Sequence, residues 1–155
     1  MATQPLTYEN FVPEIREFIR DFAELNRLIT GEESSNRHIS YSAHLAIDEF
    51  NTRPPLSSHD ISHFPSRVIL VYLTVCHLLF SVAILHSRNR FSYNDGGYSV
   101  ETEQQEALYQ RWIQILRSQI EPHMNALKIA LNIEGGWGGG VGSEYGWIHG
   151  WYGLS

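Results

Sequence analysis

Histidine and carboxylate spacing gives this chain two openings for chemistry. His59 and His63 stand four residues apart, the interval by which a helix aims two imidazoles at one metal ion. His44 and Asp48 share that interval. Neither pair has an obvious third ligand. The His59–His63 stretch runs toward Pro65 and need not be helical, so surface or capping roles serve all four residues as well. Gly138-Gly139-Gly140-Val141-Gly142 has the glycine content of a phosphate loop but lacks its Lys-Ser/Thr ending and its strand–turn–helix setting. Cys76 is the one cysteine, so no intramolecular disulfide can form. It lies inside an apolar run, where burial raises a thiol pKa and makes a poor nucleophile. No serine falls in a nucleophile motif. The expectation is a protein without catalytic residues, metal or cofactor. A soluble helical metal-binding protein or enzyme using His59 and His63 remains one alternative.

The elements that must position these residues read as mainly α. At 155 residues the chain is about one domain, long enough for a real core. Its formal charge is −6, and only Lys128 among eleven cationic residues is a lysine. Without a basic stripe, tight binding to nucleic acid is not expected. Phe11, Ile15, Phe18, Phe22 and Leu25 space out one amphipathic helix, with Asn10 as a candidate cap. Ile39, Ala43, Ala46, Ile47 and Phe50 form the face of a second helix, capped by Ser34 or Ser35 and stopped by Pro54-Pro55. Val68–Leu85 is eighteen residues without a formal charge if His77 is neutral. That length is near the lower limit for a membrane span. His77 at its middle, arginines at both ends and amphipathic neighbours favour a buried central helix instead. A small membrane-associated protein using Val68–Leu85 as a span is the other alternative. Thr102 to Gln105 has the spacing of a helix start. Leu108, Trp112, Ile115, Leu116 and Ile120 continue that helix, Pro122 is expected to kink or split it, and Met124, Leu127 and Leu131 carry it to about Asn132.

Two segments depart from helix pattern. Phe91, Tyr93, Tyr98 and Val100 alternate around Asn94-Asp95-Gly96-Gly97, which predicts a short β-hairpin or an extended loop. Gly135–Ser155 holds nine of the twelve glycines and three of the four tryptophans. Glycine makes independent folding costly, while Trp and Tyr reward burial in a partner. The predicted architecture is therefore a small bundle of about four helices over residues 1–134, with one hairpin or loop, and an extended C-terminal arm over 135–155. The N-terminal Met1-Ala2-Thr3-Gln4-Pro5 has neither a charged leader nor an apolar core, so the expected compartment is a reducing cytoplasm.

The order of these elements, across roughly residues 5 to 132, resembles the head–tail connector proteins of tailed bacteriophages, also called adaptor or head-completion proteins. The resemblance rests on Ala46-Ile47-Asp48-Glu49-Phe50-Asn51 before the Pro-Pro stop, and above all on Phe91-Ser92-Tyr93-Asn94-Asp95-Gly96-Gly97-Tyr98-Ser99-Val100 between the two long helices. It implies a virion structural protein of the neck: a homo-oligomeric, dodecameric ring beneath the portal through which DNA passes without specific binding. The implied partners are the portal protein, a stopper or tail protein and further copies of the chain, with no membrane. Made in the host cytoplasm, the protein would take its place in viral assembly and genome ejection. The resemblance makes Trp137, Tyr145, Trp147, Trp151 and Tyr152 the portal-binding positions of the arm. It makes Phe91, Tyr93, Asp95, Gly96, Gly97 and Tyr98 a loop facing the next subunit or the tail. The tail is richer in Gly and Trp than the family pattern, and Pro122 interrupts the last long helix.

Overall fold

The computed structural model describes the backbone of residues 5–26, 30–88, 92–95, 98–101 and 105–150, and side chains over 5–26, 30–88 and 107–135. Four helices and two short strands follow in the order α1 (Tyr8–Ile19), α2 (Asn36–Thr52), α3 (Arg67–Arg88), β1 (Ser92–Asp95), β2 (Tyr98–Glu101) and α4 (Gln105–Gly150). The mainly helical, four-helix class read from the sequence is what the structure shows. The strands pair antiparallel, with Ser92 opposite Glu101 and Asp95 opposite Tyr98.

Local chemistry sets the helix ends. Thr7, not Asn10, caps α1: its hydroxyl accepts from the Asn10 amide, and the Asn10 side chain accepts from the Thr7 amide at 2.8 Å. This reciprocal pairing satisfies two backbone donors that a helix start leaves free. At the other end Arg20 turns left-handed (φ 57°). The apolar spacing of Phe22 and Leu25 therefore lies beyond the helix, and Phe18 and Leu25 are half exposed. Ser35 caps α2, its hydroxyl 3.3 Å from the His38 amide.

The core forms where α3 packs between α2 and α4, with α1 across one side. Phe11 and Ile15 of α1, Ile39, Ala43, Ala46 and Phe50 of α2, Leu70, Leu73, Val75 and Leu78 of α3, and Ile120 and Met124 of α4 are all buried. Full burial of each large apolar side chain contributes about 1.5–3 kcal/mol. One atom works against this packing. The Thr74 hydroxyl is buried and has no hydrogen-bond partner among the described residues.

The α4 helix departs from the sequence reading in two ways. It runs through Pro122 as one element, so the proline does not split it. It also continues to Gly150, so the arm expected to be extended from residue 135 is helical through that point. Each glycine costs a helix about 1 kcal/mol relative to alanine. A helix already nucleated nevertheless gains one hydrogen bond per added residue, and no proline lies beyond 135 to stop it. Trp137, Tyr145 and Trp147 thus occupy helical backbone positions, and Tyr93, Asp95 and Tyr98 lie on the strands. Phe91, Gly96, Gly97, Trp151 and Tyr152, with the Thr102 cap position, lie outside the described residues.

The unpaired hydroxyl gives a direct test of the core. Thr74→Val keeps the side-chain shape and removes the stranded polar group, so it should raise the unfolding free energy by about 1 kcal/mol. Urea denaturation should show a higher midpoint at unchanged slope.

Candidate functional site

The residues singled out for metal chemistry are engaged elsewhere. The His59 ring stands 5.8 Å from the Phe50 ring and 6.4 Å from Phe64. The backbone of His59 is clamped at both polar atoms by the Asn51 side chain, at 2.8 and 2.9 Å. His63 Nδ1 lies 2.9 Å from Asp60 Oδ1 on the surface. His44 Nδ1 meets the Tyr8 hydroxyl at 2.8 Å. Among the described residues no three His, Cys, Asp or Glu side chains converge as a metal site would require. Cys76 is buried, and that burial pushes its pKa up to about 11. Gly138–Gly142 falls within the helical backbone of α4 rather than in a loop.

The chain's polar chemistry is concentrated instead at a junction of three helices. Glu49 projects from α2 with its side chain only 18 % exposed. Arg117 of α4 grips both carboxylate oxygens, Nη1 to Oε1 at 2.8 Å and Nη2 to Oε2 at 3.0 Å. His77, at the centre of α3, brings Nε2 to 2.9 Å from Oε2. An ionised carboxylate only accepts, so Nε2 carries the shared proton. Arg53, at the end of α2, reaches Glu49 at 3.4 Å and Glu121 of α4 at 3.1 Å. Two carboxylates and two guanidiniums balance. The His77 hydrogen bond is the leading cause of a Glu49 pKa lowered to about 2. Arg117 adds to it, and the two outweigh the burial that disfavours the charge.

Two further clusters of buried charge fix the connecting segments. Burial works against the Asp21 charge, but the Asn26 amide, the Glu33 and Ser34 backbone amides and Arg16 together hold its pKa below the ordinary value. Arg16, 6 % exposed, bonds Asp21 at 3.1 Å and the Ser34 carbonyl at 2.6 Å. The end of α1 is thereby tied to the start of α2. Lys128 of α4, 2 % exposed, donates to the Pro55 carbonyl at 3.0 Å and to the Ser57 hydroxyl at 2.7 Å. Its ammonium also sits 4.3 Å over the Phe50 ring. Burial lowers its pKa. The sequence reading missed all three clusters. The one signal it held was His77, a titratable residue in mid-run of the most apolar helix.

The surface is the other notable feature. Tyr41, Phe80, Ile84 and Leu85 stand 46–63 % exposed on α2 and α3. A groove of about 360 Å³ between these helices is lined in part by Tyr41, Ile84 and Leu85. A second cleft, of about 460 Å³, opens between α1, α3 and α4, with Phe18, Val75, Leu79 and Trp112 on its walls and Asp21 at its polar end. The α3 helix is long and apolar enough to cross a membrane, with mean hydropathy 2.5 over its most apolar window. Here it packs between α2 and α4, and its central His77 is bonded to Glu49. No family model, curated protein or solved structure matches the chain.

The Glu49 junction predicts an acid limb in the stability of the protein. The folded pKa of Glu49 lies below its ordinary 4.5, so the unfolded state binds more protons between the two values. The contribution is present in full above about pH 4.5 and is lost as pH falls to about 2. Its size is about 3 kcal/mol. Glu49→Gln should lower stability at pH 7 by about that amount and flatten the profile between pH 4.5 and 2. Denaturation at a series of pH values measures both effects.

Proposed function

We propose that this protein is a non-catalytic structural subunit of a tailed-phage neck, a ring-forming adaptor that joins the portal to the tail and leaves a passage for DNA. The observation that carries the reading is the length of α4. At 1.5 Å per residue its 46 residues rise about 69 Å, against about 33 Å for the 22 residues of α3. An element twice as long as its longest neighbour has to end against something beyond its own bundle. That is the requirement of a subunit that reaches from one ring to the next. Trp137, Tyr145 and Trp147 fall on this stretch of helical backbone, and these three positions, with Trp151 and Tyr152 of the sequence beyond it, are assigned to the portal. The Phe91–Val100 segment between the long helices is assigned to the neighbouring subunit or the tail side.

Two properties support the assignment. Exposed Tyr41, Phe80, Ile84 and Leu85 form the kind of apolar surface that marks an interaction site. The formal charge of −6 multiplies around a ring, so a lumen lined by such subunits repels the DNA backbone and lets it slide past. Cyclic repetition also lets weak single contacts hold firmly, because linked sites gain ~10²–10⁴ in avidity. In this reading the protein is made in the host cytoplasm, needs no cofactor and stays off membranes.

Deleting residues 135–155 should leave a folded helical protein that no longer attaches to the portal. Electron microscopy of the full chain co-expressed with the portal protein encoded beside it should show a second ring stacked on the portal, and the deletion should show a bare portal. A bare portal with the full chain overturns the adaptor reading. Pelleting of the full chain with membranes would place α3 in the bilayer instead.

A further inference from the structure

The α4 helix is apolar on two opposite faces. Its inner face carries Ile120, Met124 and Leu127 into the core. Its outer face carries Leu108, Trp112 and Ile115, then Gln119 and Pro122, then Ala126, Ile129 and Ile133, and every one of these is exposed. The intervals run 4, 3, 4, 3, 4, 3, 4, the strict spacing of a coiled-coil seam rather than of a helix packed on a globular core. At 100° per residue the seam lies about 140° around the helix from the inner face. Four of its members, Leu108, Trp112, Ile129 and Ile133, remain 53–59 % exposed.

The order of residues along the seam points to its occupant. We infer that it pairs antiparallel with the same seam of a second copy of this chain. A two-fold contact requires that residue i meet j while j meets i. Folding the seam about its midpoint, between Ile120 and Glu121, does this at every layer. Leu108 falls opposite Ile133, Trp112 opposite Ile129 and Ile115 opposite Ala126, so the largest side chains meet smaller ones. A parallel pair would set Trp112 on Trp112 and Pro122 on Pro122. The midpoint layer joins Gln119 to Pro122. Pro122 has no amide hydrogen, so the Ser118 carbonyl loses its helical donor. Gln119 of the second copy arrives beside that carbonyl with an amide to donate.

Charge and sterics agree with this register. The flank formed by Arg111, Ser118, Asn125 and Asn132 carries one formal charge. The antiparallel register places Arg111 against Asn132 and Ser118 against Asn125, so like charges do not meet. Trp112 also borders the cleft between α1, α3 and α4, whereas Ile115, Ala126, Ile129 and Ile133 lie on the side of α4 away from α3, where a second bundle has room to approach. Over the 26 residues from Leu108 to Ile133 the contact extends about 39 Å. The pairing is a property of the free chain and is independent of the neck assignment.

Cysteine placement reads the register. I115C and A126C each change an exposed seam position, and buried Cys76 is common to both. Under mild oxidation the mixture of the two full-length variants should give a disulfide-linked dimer that neither variant gives alone. Sedimentation of the unmodified chain should show a concentration-dependent dimer, weakened at least about 30-fold by Trp112→Glu at the seam. I115C or A126C linking to itself would mean a parallel register and overturn the proposal. A monomer at all concentrations with no linked product in any mixture would overturn it as well. So would a dimer indifferent to Trp112→Glu.

Discussion

One carboxylate fixes how three of the helices sit against one another. The α3 helix is apolar around most of its circumference, and such a surface packs almost equally well when slid or rotated by a turn. Hydrophobic burial is non-directional and cannot choose among those arrangements. Glu49 does choose. It places an acceptor on α2 at a single level, and only one register of α3 brings His77 to it while only one register of α4 brings Arg117. A register that separated Glu49 from both His77 and Arg117 would leave a largely buried carboxylate short of partners, and breaking a buried pair typically costs about 3–5 kcal/mol. A slipped register incurs that cost even where its apolar contacts are as good as the native ones. The junction therefore contributes more to the uniqueness of the fold than to its total stability.

The other two clusters of buried charge extend the same logic to the loops. A connection has no repeating hydrogen bonds of its own, so it is ordered only where side chains supply them. Asp21 accepts from two backbone amides and from Asn26, while Arg16 closes the group from α1. Asn51 does the equivalent for the segment after α2, holding His59 by both backbone atoms. Lys128 then pins that segment to α4 through Pro55 and Ser57. Each polar anchor joins a loop to a helix that hydrophobic packing has already placed. The order of dependence runs from core to junction to loops.

The helices were legible because each has an apolar period that a partner can read. Ile39, Ala43, Ala46, Ile47 and Phe50 were marked as one face by spacing alone, and all five are buried. The α1 stripe was overread, because spacing says nothing of Arg20 turning left-handed and ending the helix before Phe22 and Leu25. Glu49, Arg117 and Lys128 were invisible for a different reason. A charged residue is exposed by default, and its burial depends on partners 28 to 73 positions away in the chain. His77 was the exception, because a polar group amid apolar neighbours stands out without knowledge of its partner. The glycines beyond residue 134 misled through propensity, which counts the cost of each residue and not the helix already running into them.

The surface follows from the same arrangement. Three, seven and eight residues after His77, the side chains of Phe80, Ile84 and Leu85 continue its face of α3 past the Glu49 junction and stay exposed beside the α2–α3 groove. The α4 helix has the complementary problem, since it is held along one face only. A chain with only 18 % charged residues has little means to coat what remains. Such a bundle is complete in its interior and incomplete at its surface. Self-association and docking on a larger assembly are the two ways of removing that surface from water, and they can use separate faces. The outer seam of α4 has the self-complementary order that pairing demands, whereas the α2–α3 groove is built from unlike residues of two different helices.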